Sequence, residues 1–148
     1  MPRIAREASV VWEGNLARGE GSLTAASSGA FSSLPYSLPT RVGSPEGKTS
    51  PEELLAAAHG GCFAMSLAGE LTAVGTPPEQ LDIRVTIVVD EVDGSHVVVL
   101  SRVDVKGRVP GIDDAAFQRV VRAADEGCTM SALVRAGARI DVDARLVD

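Results

Sequence analysis

The sequence TSPEELLAAAHGGCF occupies residues 49–63 and contains the start of an uncharged, apolar run that continues to Gly69. Ser50 is a favourable N-cap, and Pro51 suits the first helical position, where the missing N–H costs nothing. Glu53 stands three residues after the cap, in the capping-box position. The apolar pattern continues to about Ala73, and a glycine and two prolines follow it. The sequence therefore predicts one long helix that begins at Pro51 and ends near Ala73.

The residues before this helix predict weak strands and then a long loop. Between residues 7 and 30, apolar side chains alternate with smaller or polar ones, and Gly14-Asn15 supplies a turn. Residues 29–48 are rich in proline and glycine and are expected to form a loop. An ordered loop of this length either binds something or lies across a partner.

Two long strands are predicted after the helix. A two-residue turn at Asp93-Gly94 would place charged residues opposite the apolar face of the first strand. A three-residue loop, 92–94, with Gly94 in the left-handed region, instead pairs Val85 with Ser101 and keeps the apolar faces together. The pattern therefore favours the three-residue loop.

The C-terminal third predicts two helices and a final strand. Asp113 caps a helix whose apolar stripe begins at Phe117, and Gly127 suits its C-terminal cap. A short helix is expected over about 130–136, and residues 138–146 alternate as a strand. Because the strands are expected to be joined as hairpins rather than crossovers, the order of elements favours an α+β fold with a mainly antiparallel sheet.

Length and composition restrict the class of protein. The 148 residues, 45% hydrophobic and 23% charged, fit one globular domain over residues 1–148, and two cysteines are too few for a disulfide scaffold. A net charge of −6 without basic clusters argues against nucleic-acid or anionic-membrane binding. No signal peptide is recognisable, and the uncharged run from Leu54 to Gly69 is shorter than the roughly 20 residues of a membrane span, which favours a soluble cytoplasmic protein. With only 3% aromatic residues, the core is expected to need a second chain.

The two cysteines are the candidate reactive groups. Cys62 is either an inert small hydrophobe or a reactive thiol, and Gly60-Gly61 before it favours the second reading. A glycine pair in a helix costs roughly 1–2 kcal/mol, and a kink there would place Cys62 near a new helix N-terminus that stabilises thiolate. Cys128 lies at or near the N-cap of the short helix, but Asp125 and Glu126 oppose its ionisation. Cys62 is therefore the better attacking thiol and Cys128 its partner.

Two charged residues near the long helix are candidates for the same site. The capping box explains Glu53 and gives no structural role to Glu52. Arg41 is either a solvated surface charge or a guanidinium that lowers the pKa of a nearby thiol and binds a peroxide or carboxylate oxygen.

A metal site is the weaker interpretation of the same region. His59 and Cys62 are spaced i, i+3, and with His96 and Cys128 they make a Cys₂His₂ set for zinc. Neither C-x-x-C nor H-x-x-x-H spacing occurs, however, and no Ser/His/Asp, Walker or dinucleotide motif is present.

The two cysteine segments resemble a known family. Residues 49–63 closely resemble the first cysteine motif of the OsmC/Ohr family, the osmotically inducible protein C and organic hydroperoxide resistance proteins. Residues 127–133, GCTMSAL, resemble its second cysteine motif. The version with His59, and Thr40-Arg41 ahead of the helix, look more like the OsmC branch. The resemblance implies an intertwined homodimer with long central helices, sheets outside and active sites at the interface.

The resemblance also implies an activity and its residues. It implies a thiol peroxidase that reduces organic hydroperoxides, and hydrogen peroxide less well, with Cys62 as the peroxidatic and Cys128 as the resolving cysteine. Glu52 and Arg41 match the family's activating pair. No metal or haem is implied, and the reductant is a small dithiol, often a lipoyl group. Thr129 departs from the proline that usually follows the second cysteine, so the resolving cysteine is expected to be held less rigidly. The alternative is a non-catalytic binder of small apolar or electrophilic ligands on the same fold.

Overall fold

The structure, a computed structural model, describes residues 1–148 and divides into two compact units, residues 1–51 and 52–148. Each unit has its own three-stranded sheet. The expectation of a single domain over the whole chain stays a prediction.

The first unit is a small antiparallel sheet with one short helix. Its elements are β1 (Ser9–Glu13), β2 (Glu20–Thr24), β3 (Leu34–Tyr36) and α1 (Leu38–Val42). The predicted strands and their turn are confirmed, but the loop predicted over 29–48 is wrong in part, because it contains β3 and α1. Pro35 is tolerated since β3 is an edge strand, and Pro39 lies in the first turn of α1, where proline is accepted.

The two aromatic rings of this unit pack over a glycine. The Trp12 and Tyr36 ring centroids are 5.5 Å apart, and the planes are tilted by 56°. A Cβ atom on Gly21, which pairs with Tyr36, would overlap the Tyr36 ring and lie 2.8 Å from Trp12 Cε3. Only glycine therefore allows both rings to cover this part of β2.

The second unit contains the longer elements. These are α2 (Pro51–Ala73, whose first residue is the last of the first unit), β4 (Gln80–Val92), β5 (Ser95–Arg108), α3 (Asp114–Gly127), α4 (Thr129–Arg135) and β6 (Arg139–Leu146). The predicted helix over Pro51–Ala73 is confirmed. The sheet order is β4-β5-β6, and β6 pairs with β5 in parallel. The expectation of hairpins only is therefore wrong here, because α3 and α4 together form a crossover between two parallel strands.

The turn between β4 and β5 is shorter than predicted. It consists of Asp93 and Gly94, whose φ angles are 51° and 77°, and Val92 pairs directly with Ser95. Positive φ at both central residues is the type I′ geometry that matches the strand twist, and Asp-Gly suits it well. The three-residue loop 92–94 is thus wrong.

A β-bulge corrects the register that this tight turn would otherwise impose. The pairing shifts by one residue between Val88 and Val89, so that Val85 lies opposite Val103 instead of the charged Arg102. The extra residue in β5 returns the apolar side chains of both strands to the same face. The objection to a two-residue turn is removed by this bulge, which an alternation pattern does not reveal.

The core of the second unit lies between the sheet and the helices. Its fully buried side chains include Phe63, Leu67, Leu71, Val103 and Phe117. Asp113 caps α3 as predicted, accepting a hydrogen bond from the Ala116 N–H at 2.8 Å. The apolar stripe predicted on α3 is buried, but Gly127 is its last helical residue and the C-cap is Cys128.

The helix α2 buries one face and exposes another. His59, Phe63, Leu67 and Leu71 are fully buried, whereas Met65 is 78% exposed. By length and composition alone α2 is apolar enough to cross a membrane, and 22% of its most apolar window is buried within the protein. The core helices of soluble proteins pass the same test, so it does not by itself identify a membrane span.

Candidate active site

The two cysteines lie together in the second unit. Cys62 is half-buried in the middle of α2, and Cys128 is a buried residue between α3 and α4. Their Sγ atoms are 3.2 Å apart and both thiols are free. Residues separated by 66 positions in sequence are therefore in direct contact, ready to exchange a proton or to form a bond.

The helix break considered at Gly60-Gly61 does not occur, since α2 is helical without interruption from Pro51 to Ala73. A Cβ atom on Gly60 would lie 3.2 Å from Val85 Cγ2, so this glycine lets the helix approach β4. No new helix N-terminus exists beside Cys62 within α2. The groups that stabilise its thiolate come instead from α4.

The junction that carries Cys128 is held by hydrogen bonds. Cys128 is the N-cap of α4, as the sequence predicts, and its Sγ accepts a hydrogen bond from the Ser131 N–H at 3.4 Å. Ser66, one turn after Cys62, donates its hydroxyl to the Ala124 carbonyl at 2.7 Å. This bond ties α2 to the end of α3 and so fixes the spacing of the two thiols.

The surroundings of Cys62 favour its thiolate. Burial raises the pKa of Cys62, but hydrogen bonds from the Thr129 side chain, the Met130 N–H and Cys128 outweigh it and hold the pKa below its ordinary value. Thr129 Oγ1 lies 3.4 Å from Cys62 Sγ. The first turn of α4 thus supplies the donors that a thiolate needs.

Cys128 has the opposite tendency. Burial raises the pKa of Cys128 and the neighbouring Cys62 raises it further, which outweighs hydrogen bonds from Ser131. The pair therefore consists of one thiol that ionises readily and one that keeps its proton. This difference is what an attacking and a resolving thiol require, and the assignment of these roles to Cys62 and Cys128 stays a prediction.

The other two predicted site residues lie at an element end and an element start. Arg41 is in the last turn of α1 and lines a cavity of about 320 Å³ in the first unit. The other lining residues are Trp12, Leu16, Tyr36, Ser37 and Leu38. Glu52 is the second residue of α2 and stands in its first turn, a favourable position for an acidic side chain. Their roles at the thiol pair stay predictions.

The zinc set proposed from the sequence is not assembled. The structure contains no group of three His, Cys, Asp or Glu side chains arranged to hold a metal ion. His59 is fully buried, and its two ring nitrogens bond to serines: Nδ1 lies 2.7 Å from Ser101 Oγ and Nε2 2.8 Å from Ser131 Oγ. Neither nitrogen is left to coordinate a metal.

Sequence reasoning missed the polar partners of the thiols. The sequence marks Thr129 only as a departure from a motif, yet its hydroxyl contacts Cys62. The sequence offered one signal for Ser101, because a polar residue at an inward position of an apolar strand needs a buried hydrogen-bond partner. Ser131 stands three residues after Cys128, where an N-cap is bonded by the backbone.

Comparison with known proteins adds a family. The model of the OsmC-like protein family matches residues 43–143. The curated proteins named Peroxiredoxin OsmC from Escherichia coli (strain K12) and from Shigella flexneri are each 33% identical over 138 residues, covering 93% of this chain and 95% of the relative.

Solved structures agree on the fold. The organic hydroperoxide resistance protein OhrB of Bacillus subtilis superimposes with a TM-score of 0.73 at 23% identity, over 94% of this chain and 98% of that chain. An organic hydroperoxide resistance protein from Elizabethkingia anophelis gives 0.76 at 15% identity, over 99% of both chains. At these identities the likeness concerns the fold, and it confirms the predicted α+β class.

Proposed function

Because this chain belongs to the OsmC/Ohr family, we propose that it is a cysteine-based peroxidase that reduces organic hydroperoxides, and hydrogen peroxide less well, in defence against oxidative or osmotic stress. The relatives' names support a peroxidase-type role. The observation that carries the proposal is the contact of two free thiols at 3.2 Å, one prone to ionise and one not.

In the proposed reaction the Cys62 thiolate attacks one oxygen of the hydroperoxide. An S–O bond forms, the O–O bond breaks, and the leaving alkoxide takes up a proton to become an alcohol. Cys62 is then a sulfenic acid. The Cys128 sulfur attacks it, an S–S bond replaces the S–O bond, and water leaves. An external dithiol, such as a lipoyl group, then restores both thiols by exchange.

Arg41 and Glu52 complete the proposed site. Arg41 would stabilise the thiolate and polarise the peroxide, and Glu52 would hold the guanidinium in place. Their match to the family motif supports these roles.

We also propose that the protein is a homodimer formed through the exposed face of α2. The apolar helix leaves Met65 78% exposed, and a Cβ atom placed on Gly61 would meet nothing within 4 Å. A second copy would cover this face, as the family resemblance implies.

The test of the proposed activity is the consumption of cumene hydroperoxide and of hydrogen peroxide with a dithiol present. Wild type is expected to consume cumene hydroperoxide faster. Cys62→Ser is expected to lose activity entirely, because no sulfur can attack. Cys128→Ser should complete one oxidation of Cys62 without a disulfide and then recycle slowly. Arg41→Ala and Glu52→Gln should slow the oxidation of Cys62 while leaving the dimer intact.

Two outcomes would contradict the proposal. Full activity in Cys62→Ser would remove that thiol from the reaction. Inert thiols in wild type, with tight binding of the organic compound, would instead identify a non-catalytic ligand-binding protein on the same fold.

A further inference from the structure

His59 is a buried titratable group that the proposed peroxidase reaction does not use. Its side chain is fully buried on the core face of α2, and each ring nitrogen forms a hydrogen bond with a serine hydroxyl. Ser101 belongs to β5 and Ser131 to α4, so the ring is fixed from two sides. An imidazole held in this way has one orientation and can accept a proton at a defined nitrogen.

Ser131 connects this imidazole to the second thiol. Its Oγ lies 2.8 Å from His59 Nε2, and the same hydroxyl acts on Cys128 as a hydrogen-bond donor that lowers the pKa of that thiol. Its backbone N–H also reaches Cys128 Sγ at 3.4 Å. Ser131 is fully buried, so its hydroxyl is shielded from bulk water.

We propose that His59 accepts the proton of Cys128 through the Ser131 hydroxyl when Cys128 attacks the oxidised Cys62. The inference rests on the proposed function, since it concerns its second step. Ser131 is the bridging group in contact with the reacting sulfur. His59 is a positioning residue that acts through it, and Ser101 holds the ring.

The proton transfer follows the hydrogen bonds of the neutral ring. In the tautomer that the relay requires, Nδ1–H donates to Ser101 Oγ, the Ser131 hydroxyl donates to Nε2, and the Cys128 S–H turns to Ser131 Oγ. The Cys128 proton moves to Ser131 as the Ser131 proton moves to His59, and the S–S bond forms. The S–O bond of Cys62 breaks, and its oxygen takes up a solvent proton and leaves as water. His59 later returns one proton to solvent, so sulfenic acid and thiol yield disulfide and water.

Charge explains why the relay would act only after oxidation. In the reduced protein the neighbouring Cys62 adds to burial in raising the pKa of Cys128, so the S–H is directed to the Cys62 sulfur. Sulfenic acid formation removes the thiolate charge and frees that proton to move toward Ser131. The barrier to losing the Cys128 proton therefore falls at the step that requires its loss.

Two charged side chains act on His59. Burial lowers the pKa of His59, Asp125 raises it and Arg135 lowers it, with a lower value as the result. Asp125 bonds to Arg135 through Oδ2, and its Oδ1 is buried without a hydrogen-bond partner. His59 is therefore neutral at neutral pH and able to accept, and Asp125 favours the imidazolium that forms.

The decisive comparison is Ser131→Ala against Ser101→Ala. Each variant removes one buried hydroxyl bonded to His59, but only Ser131 contacts Cys128. Reduced protein is mixed with one equivalent of cumene hydroperoxide, and the sulfenic acid and disulfide forms are followed by dimedone trapping and mass spectrometry. Ser131→Ala should oxidise Cys62 at the wild-type rate but form the disulfide at least about tenfold more slowly, within the usual contribution of acid–base catalysis. Ser101→Ala should slow disulfide formation less than Ser131→Ala does, since it loosens the ring but leaves the bridge to Cys128 in place.

A pH profile of disulfide formation in wild type gives a second readout that a structural role would not move. The rate should fall as pH decreases through the pKa of His59, which burial holds below its ordinary value, because protonated His59 cannot accept a proton. His59→Gln, which keeps hydrogen-bonding groups, and Ser131→Ala should both lack this acid limb.

The outcomes separate this inference from the proposed function. Equal rates of disulfide formation in Ser131→Ala and Ser101→Ala, or an unchanged acid limb in His59→Gln, would overturn the relay while leaving the peroxidase intact. Failure of Cys62 to be oxidised in wild type would instead overturn the proposed function itself.

Discussion

At the scale of single residues, Thr129 stands where the second cysteine motif usually has a proline. Its contact with Cys62 gives this difference a clear chemical effect. A proline at this position would offer neither a hydroxyl nor an N–H. Thr129 offers both, and both act to lower the pKa of Cys62. The expectation that this substitution mainly loosens Cys128 is not tested by the geometry, which shows instead a gain of donors at the other sulfur.

Thr129→Val is expected to raise the pKa of Cys62, because it removes the hydroxyl while keeping the shape of the side chain. A hydrogen bond donated to the sulfur favours the thiolate over the thiol, so its loss moves the pKa of Cys62 upward. The rate of iodoacetamide alkylation at Cys62, measured by peptide mass against pH, should therefore have its midpoint at higher pH.

Thr129→Ser is the matched control for this prediction. It retains the hydroxyl, so its alkylation profile should stay close to that of wild type. Identical profiles for Thr129→Val and wild type would show that the hydroxyl does not act on the thiolate.

Residue patterns predicted part of this site. The cysteines stand out because each lies in a recognisable segment, and Asp113 and Cys128 could be placed as caps from local sequence alone. The bonds from His59 to Ser101 and Ser131 could not, because they join residues 42 and 72 positions apart. No local pattern specifies which distant hydroxyl faces a buried ring.

At the scale of elements, β5 shows both the success and the failure of alternation. Its inward positions from Ser101 onward are buried in alternate order, as period two requires. Before that point the bulge changes the parity, so Val97 is 39% exposed although alternation predicts it on the buried face. The long helices were predictable from caps and periodicity, whereas β3 and α1 were not, because they are short and lie in a proline-rich segment.

Gly107→Ala is expected to destabilise the second unit. A Cβ atom there would lie 3.0 Å from Phe117 Cζ and 3.2 Å from its Cε2, and this ring is fully buried. Overpacking of a dense core typically costs about 1–3 kcal/mol. Urea denaturation should show a lower midpoint with an unchanged slope.

Gly137→Ala is the control for that variant, since a Cβ atom at this position meets nothing within 4 Å. Its free energy of unfolding should change by no more than about 0.5 kcal/mol. Equal stability of the two variants would mean that β5 and α3 adjust without cost.

At the scale of the whole molecule, an acidic chain carries a long helix with an uncovered apolar face. A net charge of −6 does not prevent association through this face, because neither Met65 nor Gly61 is charged. The low aromatic content led to the expectation of a second chain from composition alone. Composition indicated that apolar surface would be left uncovered, but it did not identify the helix that exposes this surface.

Met65→Glu is expected to shift the protein from dimer to monomer, because it places a charge in the proposed contact. Light scattering after size exclusion should give about twice the chain mass of 15.3 kDa for wild type and a lower value for the variant.

Val92→Glu serves as the comparison, since Val92 is a 46% exposed apolar residue at the end of β4. It should remain dimeric. A monomeric wild type, or equal masses for Met65→Glu and wild type, would remove α2 from the interface.

The 3.2 Å separation of the two sulfurs also bears on the working lifetime of the protein under excess oxidant. A disulfide needs its sulfurs at about 2.05 Å, so closure requires an approach of little more than about 1 Å. If Cys62 is oxidised as proposed, its sulfenic acid meets a thiol before a second peroxide molecule can diffuse in. Irreversible oxidation of Cys62 to sulfinic acid then becomes rare. The number of turnovers at a high peroxide dose is limited by the supply of dithiol rather than by loss of active protein.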